Sequence, residues 1–195
     1  MVRCGVELEA TDSSDEVPSS TVQGEAPLQV LAVGRWVPKK GLDLLVEAVD
    51  GLDGSARLSL VSDAPAEVAS EHVDLLGLLP PDALRVHFES ADVVALPCRQ
   101  APDGDMDGVP VVLMEALAYE RPVITCPVSG VPELVDDTVG WLVPSDDVTA
   151  LQEALRSASD PEERRRRGVA GPDRLRERGF TLDAQVEGLI RTWKS

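Results

Sequence analysis

From Leu28 onward the chain alternates short, unbroken apolar runs with stretches whose apolar residues recur at helical spacing. Leu28–Val33, Arg57–Val61, Val73–Leu76, Val93–Leu96, Val123–Thr125 and Trp141–Val143 read as strands. A strand with one wet face alternates apolar and polar residues, whereas an unbroken run is covered on both faces. Leu42–Leu52, Asp82–Ser90, Pro110–Tyr119 and Val148–Ala158 lie between these runs as helix candidates. Alternating strands and helices of this kind predict an α/β fold, a Rossmann-like, doubly wound parallel sheet with helices on both faces. Ligands of such sheets sit beyond the carboxyl ends of the strands, so the loops that follow the strands are where chemistry is expected.

The organisation on either side of this body is different. Residues 1–27 are expected to form a flexible N-terminal segment, in which residues 9–27, with Thr-Asp-Ser-Ser-Asp-Glu and Pro-Ser-Ser-Thr, are too poor in apolar residues to make a core. Residues 28–160 form the predicted Rossmann-like domain. Residues 161–195 are charged and helical, and are expected to pack on that domain. There Glu162-Glu163 precede Arg164–Arg167, which suits both the helix dipole and i,i+4 pairing. Val186, Leu189, Ile190 and Trp193 give the last helix one apolar stripe.

Charge narrows the partners. The 195 residues carry a formal charge of −17. From residue 156 there are ten basic and seven acidic side chains, which leaves eight basic against twenty-eight acidic before it. Such a body repels nucleic acid and anionic lipid. The three cysteines, Cys4, Cys98 and Cys126, are far apart and odd in number, which fits a reducing, cytoplasmic setting. Cys98 and Cys126 follow strands and read as buried thiols rather than nucleophiles. His72 and His87 have no ligand cluster at metal spacing, so no metal is expected.

Two loops carry residues suited to an anionic ligand. Gly34-Arg35-Trp36-Val37-Pro38-Lys39-Lys40-Gly41 follows the first strand and opens the first helix, and it holds three of the eight basic residues of the acidic body. Arginine clamps a phosphate with paired hydrogen bonds and lysine adds a point charge; a solvated loop around a glycine turn explains the same residues equally well. Asp107-Gly108-Val109-Pro110 precedes the helix that contains Glu115. A helix start presents unpaired N–H groups to an anion, Pro110 fits a first turn, and Gly108 admits close backbone approach. Asp107 is then either a ligand group or a turn and cap residue. Glu115 is a lone acid in an apolar helix and needs a partner, since burying it unpaired is costly. Neither the G-x-G-x-x-G fingerprint nor a P-loop is present.

Taken together, Gly34-Arg35 with Lys40-Gly41, Asp107-Gly108-x-Pro110 with Glu115-Ala116, Pro122-Val123 and Gly130-Val131-Pro132-Glu133 resemble the family-4 retaining glycosyltransferases of the GT-B fold. The resemblance covers about residues 28–195, the C-terminal, donor-binding half, and Gly5–Glu9 is similar to the end of the N-terminal half. It implies a nucleoside diphosphate sugar as donor and a hydroxyl group as acceptor. By the same resemblance Arg35 and Lys40 hold the diphosphate, Glu115 the ribose, and Asp107 lies at the transferred sugar. Gly34, Gly108, Val109, Pro110 and Val111 bring backbone to the ligand, and Leu76 and Gly77 line the base pocket. Asp107, Arg35 and Lys40 are the residues expected to serve catalysis, with no metal or other cofactor. The implied partner is an N-terminal glycosyltransferase half, through which alone a membrane surface would be met. A non-catalytic nucleotide-sugar-binding module is the alternative.

The chain departs from that pattern in places. The usual Glu is Asp107, one methylene shorter. Glu120 stands where the motif helix normally ends in Gly, at a cost of about 1 kcal/mol or more if the site needs a positive φ. Ser62-Asp63-Ala64-Pro65 replaces a Gly-x-Gly turn, and the short segment before Val73 is expected to reduce one helix to a turn.

Overall fold

A computed structural model describes residues 5–8 and 26–193. The expectations for residues 9–25 and for Cys4 lie outside the described residues. Six strands, β1 (Leu28–Val33), β2 (Ala56–Val61), β3 (Val73–Leu75), β4 (Val93–Leu96), β5 (Val123–Thr125) and β6 (Gly140–Leu142), form one sheet in the order β3-β2-β1-β4-β5-β6. All pairings are parallel. β1 sits at the centre, with Val30 beside both Leu58 and Val93. Every residue of β4 and β5 is buried, as their unbroken apolar runs require.

The helices are α1 (Leu42–Asp50), α2 (Pro81–Ser90), α3 (Val111–Ala118), α4 (Val131–Leu134), α5 (Val148–Ala158), α6 (Pro161–Val169), α7 (Gly171–Arg178) and α8 (Leu182–Trp193). α1 buries Leu42, Leu45, Ala48 and Val49, one face at 3.6-residue spacing. α3 buries Val112, Leu113, Met114, Ala116 and Leu117 and so is apolar almost all round, as a central helix is. Asp147 and Asp160 cap α5 and α6 through their carboxylates. The expected loss of a helix before β3 is seen as a single 3-10 turn, Ala66–Val68. α4 escapes sequence reading because four residues are too few to show a period.

Two features after residue 160 refine the expectation of a packed helical tail. α7 lies against α3, and a Cβ on Gly171 would come within 2.4 Å of the Leu117 carbonyl oxygen, so this approach needs glycine. Arg174 is buried there, its Nε donating to the Leu134 carbonyl at 2.7 Å and its guanidinium pairing with Asp136 at 2.7 Å. α8 corrects the expectation: it buries no residue. Its stripe of Leu182, Val186, Leu189, Ile190 and Trp193 faces outward, and Trp193 is 95% exposed. Residues 5–8 run beside its start, with Val6 N–H donating to the Phe180 carbonyl and Leu182 N–H to the Val6 carbonyl. No helix among the described residues is long and apolar enough to cross a membrane.

Candidate functional site

β1 and β4 are neighbours in the sheet but not in the chain. The connection after β1 returns to β2 on one side, and that after β4 leads to β5 on the other. A crevice therefore opens where the two loops part, at the carboxyl edge of the sheet. The loop after β1 brings Gly34, Arg35, Lys39 and Lys40 to it. The loop after β4 brings Asp107, Gly108, Val109 and Pro110, and α3 follows with Val111 and Glu115. Leu76 and Gly77 stand after β3, farther along the same edge.

The basic turn is held firmly. Pro38–Lys40 form a 3-10 turn that ends at Gly41, where φ is +64° and an added Cβ would lie 2.1 Å from the Pro97 carbonyl oxygen. Only glycine fits there, for both reasons. Gly34 donates its N–H to the Val61 carbonyl at 3.0 Å. Trp36 N–H donates to Asp63 Oδ1 at 2.6 Å, so the segment that replaced Gly-x-Gly braces this turn with a carboxylate.

Arg99, which sequence reasoning passed over, fastens the turn from the opposite loop. Its backbone N–H donates to the Lys39 carbonyl at 2.9 Å and its Nε to the Pro38 carbonyl at 2.7 Å. The two terminal nitrogens reach Asp146 at 2.9 Å and Asp43 at 2.7 Å. One side chain thus ties the loops after β1, β4 and β6 to the start of α1. The signal was faint: one further basic residue among few, just after a buried strand.

Across the crevice the lysines meet two carboxylates. Lys40 Nζ is 2.8 Å from Asp107 Oδ2. Lys39 Nζ is 2.9 Å from Asp105 Oδ2 and 3.4 Å from Asp107 Oδ1. The Asp105 carboxylate, together with Asp107, holds the Lys39 ammonium above the usual lysine range. Arg35 is exposed beside this group, and its charge helps keep Asp105 below the usual carboxylate range, chiefly the work of Lys39. Asp107 is therefore a paired carboxylate rather than a helix cap: Pro110 occupies the cap position and no side chain caps α3. Residues 107–110 are not helical, so the helical geometry applies only from Val111 onward.

α3 presents an uncapped N-terminus behind Gly108. An added Cβ at Gly108 would meet nothing within 4 Å, and the same is true of Gly77. The protein's own packing gives no reason for glycine at position 108. Val111 is exposed on the first turn of α3. Glu115 is half-buried one turn farther on, with no cation and no hydrogen-bond partner facing it among the described residues, and burial raises its carboxyl above the usual glutamate range. Leu76 is half-buried and its N–H donates to the Leu60 carbonyl at 2.9 Å.

The thiols behave as buried groups. Cys98 donates to Asp107 Oδ2 at 3.9 Å, and burial pushes the thiol up to about 12. Cys126 donates to the Pro144 carbonyl and is pushed up to about 11 by burial. A thiolate is the nucleophilic form, so both side chains are inert near neutral pH. Among the described residues no group of three or more His, Cys, Asp or Glu side chains is placed to hold a metal ion.

Comparison with known proteins places the chain in a family. The family model of glycosyl transferases group 1 matches residues 27–160. The amylovoran biosynthesis glycosyltransferase AmsK of Erwinia amylovora is 36% identical over 150 residues, 70% of this chain and 37% of its own length. A GDP-mannose-dependent alpha-(1-6)-phosphatidylinositol monomannoside mannosyltransferase of Mycolicibacterium smegmatis is 34% identical over 164 residues, 76% of this chain and 43% of its own. The crystal structure of HepE of Anabaena in complex with UDP and glucose superposes with a TM-score of 0.75 at 20% identity, covering 87% of this chain and 49% of that one. This chain thus spans well under half the length of these curated relatives. A GT-B-type Rossmann-like sheet, the basic turn after β1 and a match to more than half of its residues agree: the chain belongs to the glycosyl transferases group 1 family.

Proposed function

We propose that this chain is the donor-binding, C-terminal half of a retaining glycosyltransferase of the family-4 type, and that its ligand is a nucleoside diphosphate sugar. The observation that carries the reading is the crevice between β1 and β4. It has Arg35 and Lys40 on one wall, the uncapped start of α3 on the other, and one turn along a half-buried Glu115 that has no partner among the described residues. An anion belongs between a cationic turn and a helix start, and a carboxylate without a protein partner suits ribose hydroxyl groups. One relative is named as GDP-mannose-dependent and the HepE structure is a complex with UDP and glucose, so each name carries a nucleoside diphosphate group.

In this reading Arg35 and Lys40 bind the diphosphate, and Glu115 accepts hydrogen bonds from the ribose. Asp107 stands at the sugar, while Gly34, Gly108, Val109, Pro110 and Val111 bring backbone close. Leu76 and Gly77 border the base. The Lys40–Asp107 pair does not block the site, because only the Lys40 side chain has to turn toward a phosphate and Lys39 also reaches Asp107, at 3.4 Å. In transfer, the bond from the sugar's anomeric carbon to the diphosphate breaks. The acceptor oxygen bonds to that carbon from the same face, and the acceptor proton passes to the leaving phosphate oxygen. The protein contributes position and charge to this step, without a metal.

The acceptor site is assigned to an N-terminal half, in the same polypeptide or a separate one, and the exposed stripe of α8 beside residues 5–8 is where that half is placed. Any contact with a membrane would come through it. The cysteine pattern supports a cytoplasmic setting. Alone, the 195 residues are expected to bind donor weakly and transfer little, and robust transfer without a partner would count against the reading. A thermal-shift screen of UDP, GDP, ADP and their sugars, repeated with Arg35→Ala and Glu115→Ala, tests it. The expected result is stabilisation by one base series, lost in both variants. A shift that survives both substitutions would refute the site.

A further inference from the structure

Lys39 lies beside the residues assigned to the donor, yet it is not one of them. Its ammonium reaches Asp105 at 2.9 Å and the Oδ1 oxygen of Asp107 at 3.4 Å, while Lys40 takes the other oxygen, Oδ2, at 2.8 Å. Asp107 thus shares its two oxygens between two neighbouring lysines. Its side chain is 18% exposed, and those of the lysines are 15% and 16% exposed.

A diphosphate changes this balance. Lys40 cannot give its charge fully to a phosphate and remain paired with Asp107. If it turns to the phosphate, Asp107 is left as a sheltered carboxylate facing a second anion, an arrangement that costs binding energy unless another cation takes it over. Lys39 already touches the oxygen that Lys40 does not use. The lysine backbone is fixed as well, because Arg99 holds the Pro38 and Lys39 carbonyls. Only the side chains have to move.

We propose that Lys39 is a positioning residue that keeps Asp107 charge-paired while Lys40 turns to the diphosphate. The proposal rests on the reading of the crevice as a diphosphate site. It differs from two simpler roles, a direct phosphate contact by Lys39 and a surface pair with Asp105. As a direct phosphate contact, Lys39 would be freed by the loss of Asp107, so Asp107→Asn would help less once Lys39 is gone; as a surface pair with Asp105, Lys39 would act independently of Asp107.

The test is a double-mutant cycle on the 195-residue chain. Binding of inorganic pyrophosphate is measured by titration calorimetry at low salt, with UDP, GDP and ADP run in parallel. Lys39→Met is expected to weaken binding by about tenfold, and Lys39→Gln by a similar factor. Lys39→Arg keeps a cation in place and restores most of the affinity. Asp107→Asn is expected to strengthen binding by a clearly larger factor in the Lys39→Met background than in the unchanged chain, which is the coupling the proposal requires. Equal factors in the two backgrounds, a smaller factor in the Lys39→Met background, or unchanged affinity in both Lys39→Met and Lys39→Gln, would overturn it. If the unchanged chain binds neither pyrophosphate nor any of the three nucleoside diphosphates, the diphosphate reading itself fails. That result is distinct from intact binding without coupling, which removes only the role of Lys39.

Discussion

Lys40 Nζ lies 2.8 Å from Asp107 Oδ2, joining the loop after β1 to the loop after β4 across the opening of the sheet. The two residues are 67 positions apart in sequence. They meet because β1 and β4 are adjacent, and they meet at the crevice because both loops leave the carboxyl edge there. Lys39, Lys40, Asp105 and Asp107 thus satisfy one another's charge, while Glu115 stands apart from them.

The first prediction concerns the fastening of that turn. Arg99→Ala removes the side-chain hydrogen bonds to Pro38, Asp43 and Asp146. Asp43 and Asp146 are largely exposed, so the ion pairs themselves contribute little. The lost carbonyl contact dominates, and the variant should be less stable by about 1–2 kcal/mol. Urea unfolding followed by circular dichroism measures this. Stability equal to that of the unchanged chain would show that the turn holds without Arg99.

The second concerns backbone strain. Glu120 has φ +55°, in the left-handed region that favours glycine. Glu120→Gly should therefore stabilise the domain by about 0.5–1 kcal/mol, after the larger chain entropy of glycine in the unfolded state is counted. The expected rise in Tm is about 1–4 °C for a domain of this size. A fall in Tm would mean that the side-chain interactions of Glu120 outweigh the strain.

The third concerns Glu115. Burial raises its carboxyl above the usual glutamate value in the folded chain. The folded state then holds the proton more tightly than the unfolded one. This contribution to stability is complete below the unfolded value and is lost as pH rises through the raised folded value. Glu115→Gln carries no ionisable group there. It should raise Tm near pH 7, with a smaller gain near pH 4, while weakening the binding of nucleoside diphosphates. Thermal melts of both proteins across pH 4–7 decide this; an equal gain at every pH would exclude ionisation as the cause.

Much of the fold was legible because unbroken apolar runs and helical spacing record burial directly. All six strands fall within one residue of their expected ends, and β1, β4 and β5 match throughout. β6 begins and ends one residue earlier than read, because Gly140 pairs beside Val123. The outcome for α8 differs: periodicity shows that a helix has an apolar face, and says nothing about what covers it.

The candidate site was legible in its residue types and opaque in its connections. Arg35, Lys40, Asp107 and Glu115 stood out as charges placed at strand ends or in an apolar helix. The pairing of Asp107 with two lysines did not, nor did the use of Asp63 and Arg99 as braces, since these contacts join segments that sequence keeps apart.

The sequence by itself determined the parallel sheet and the charged loops at its strand ends, because local patterns of burial and turn residues encode both. Only the tertiary structure decided that Lys39 and Lys40 share Asp107, that Arg99 locks their turn, and that Glu115 faces no cation among the described residues. Those are distances between side chains on separate loops, and they follow from strand order, which no local pattern carries.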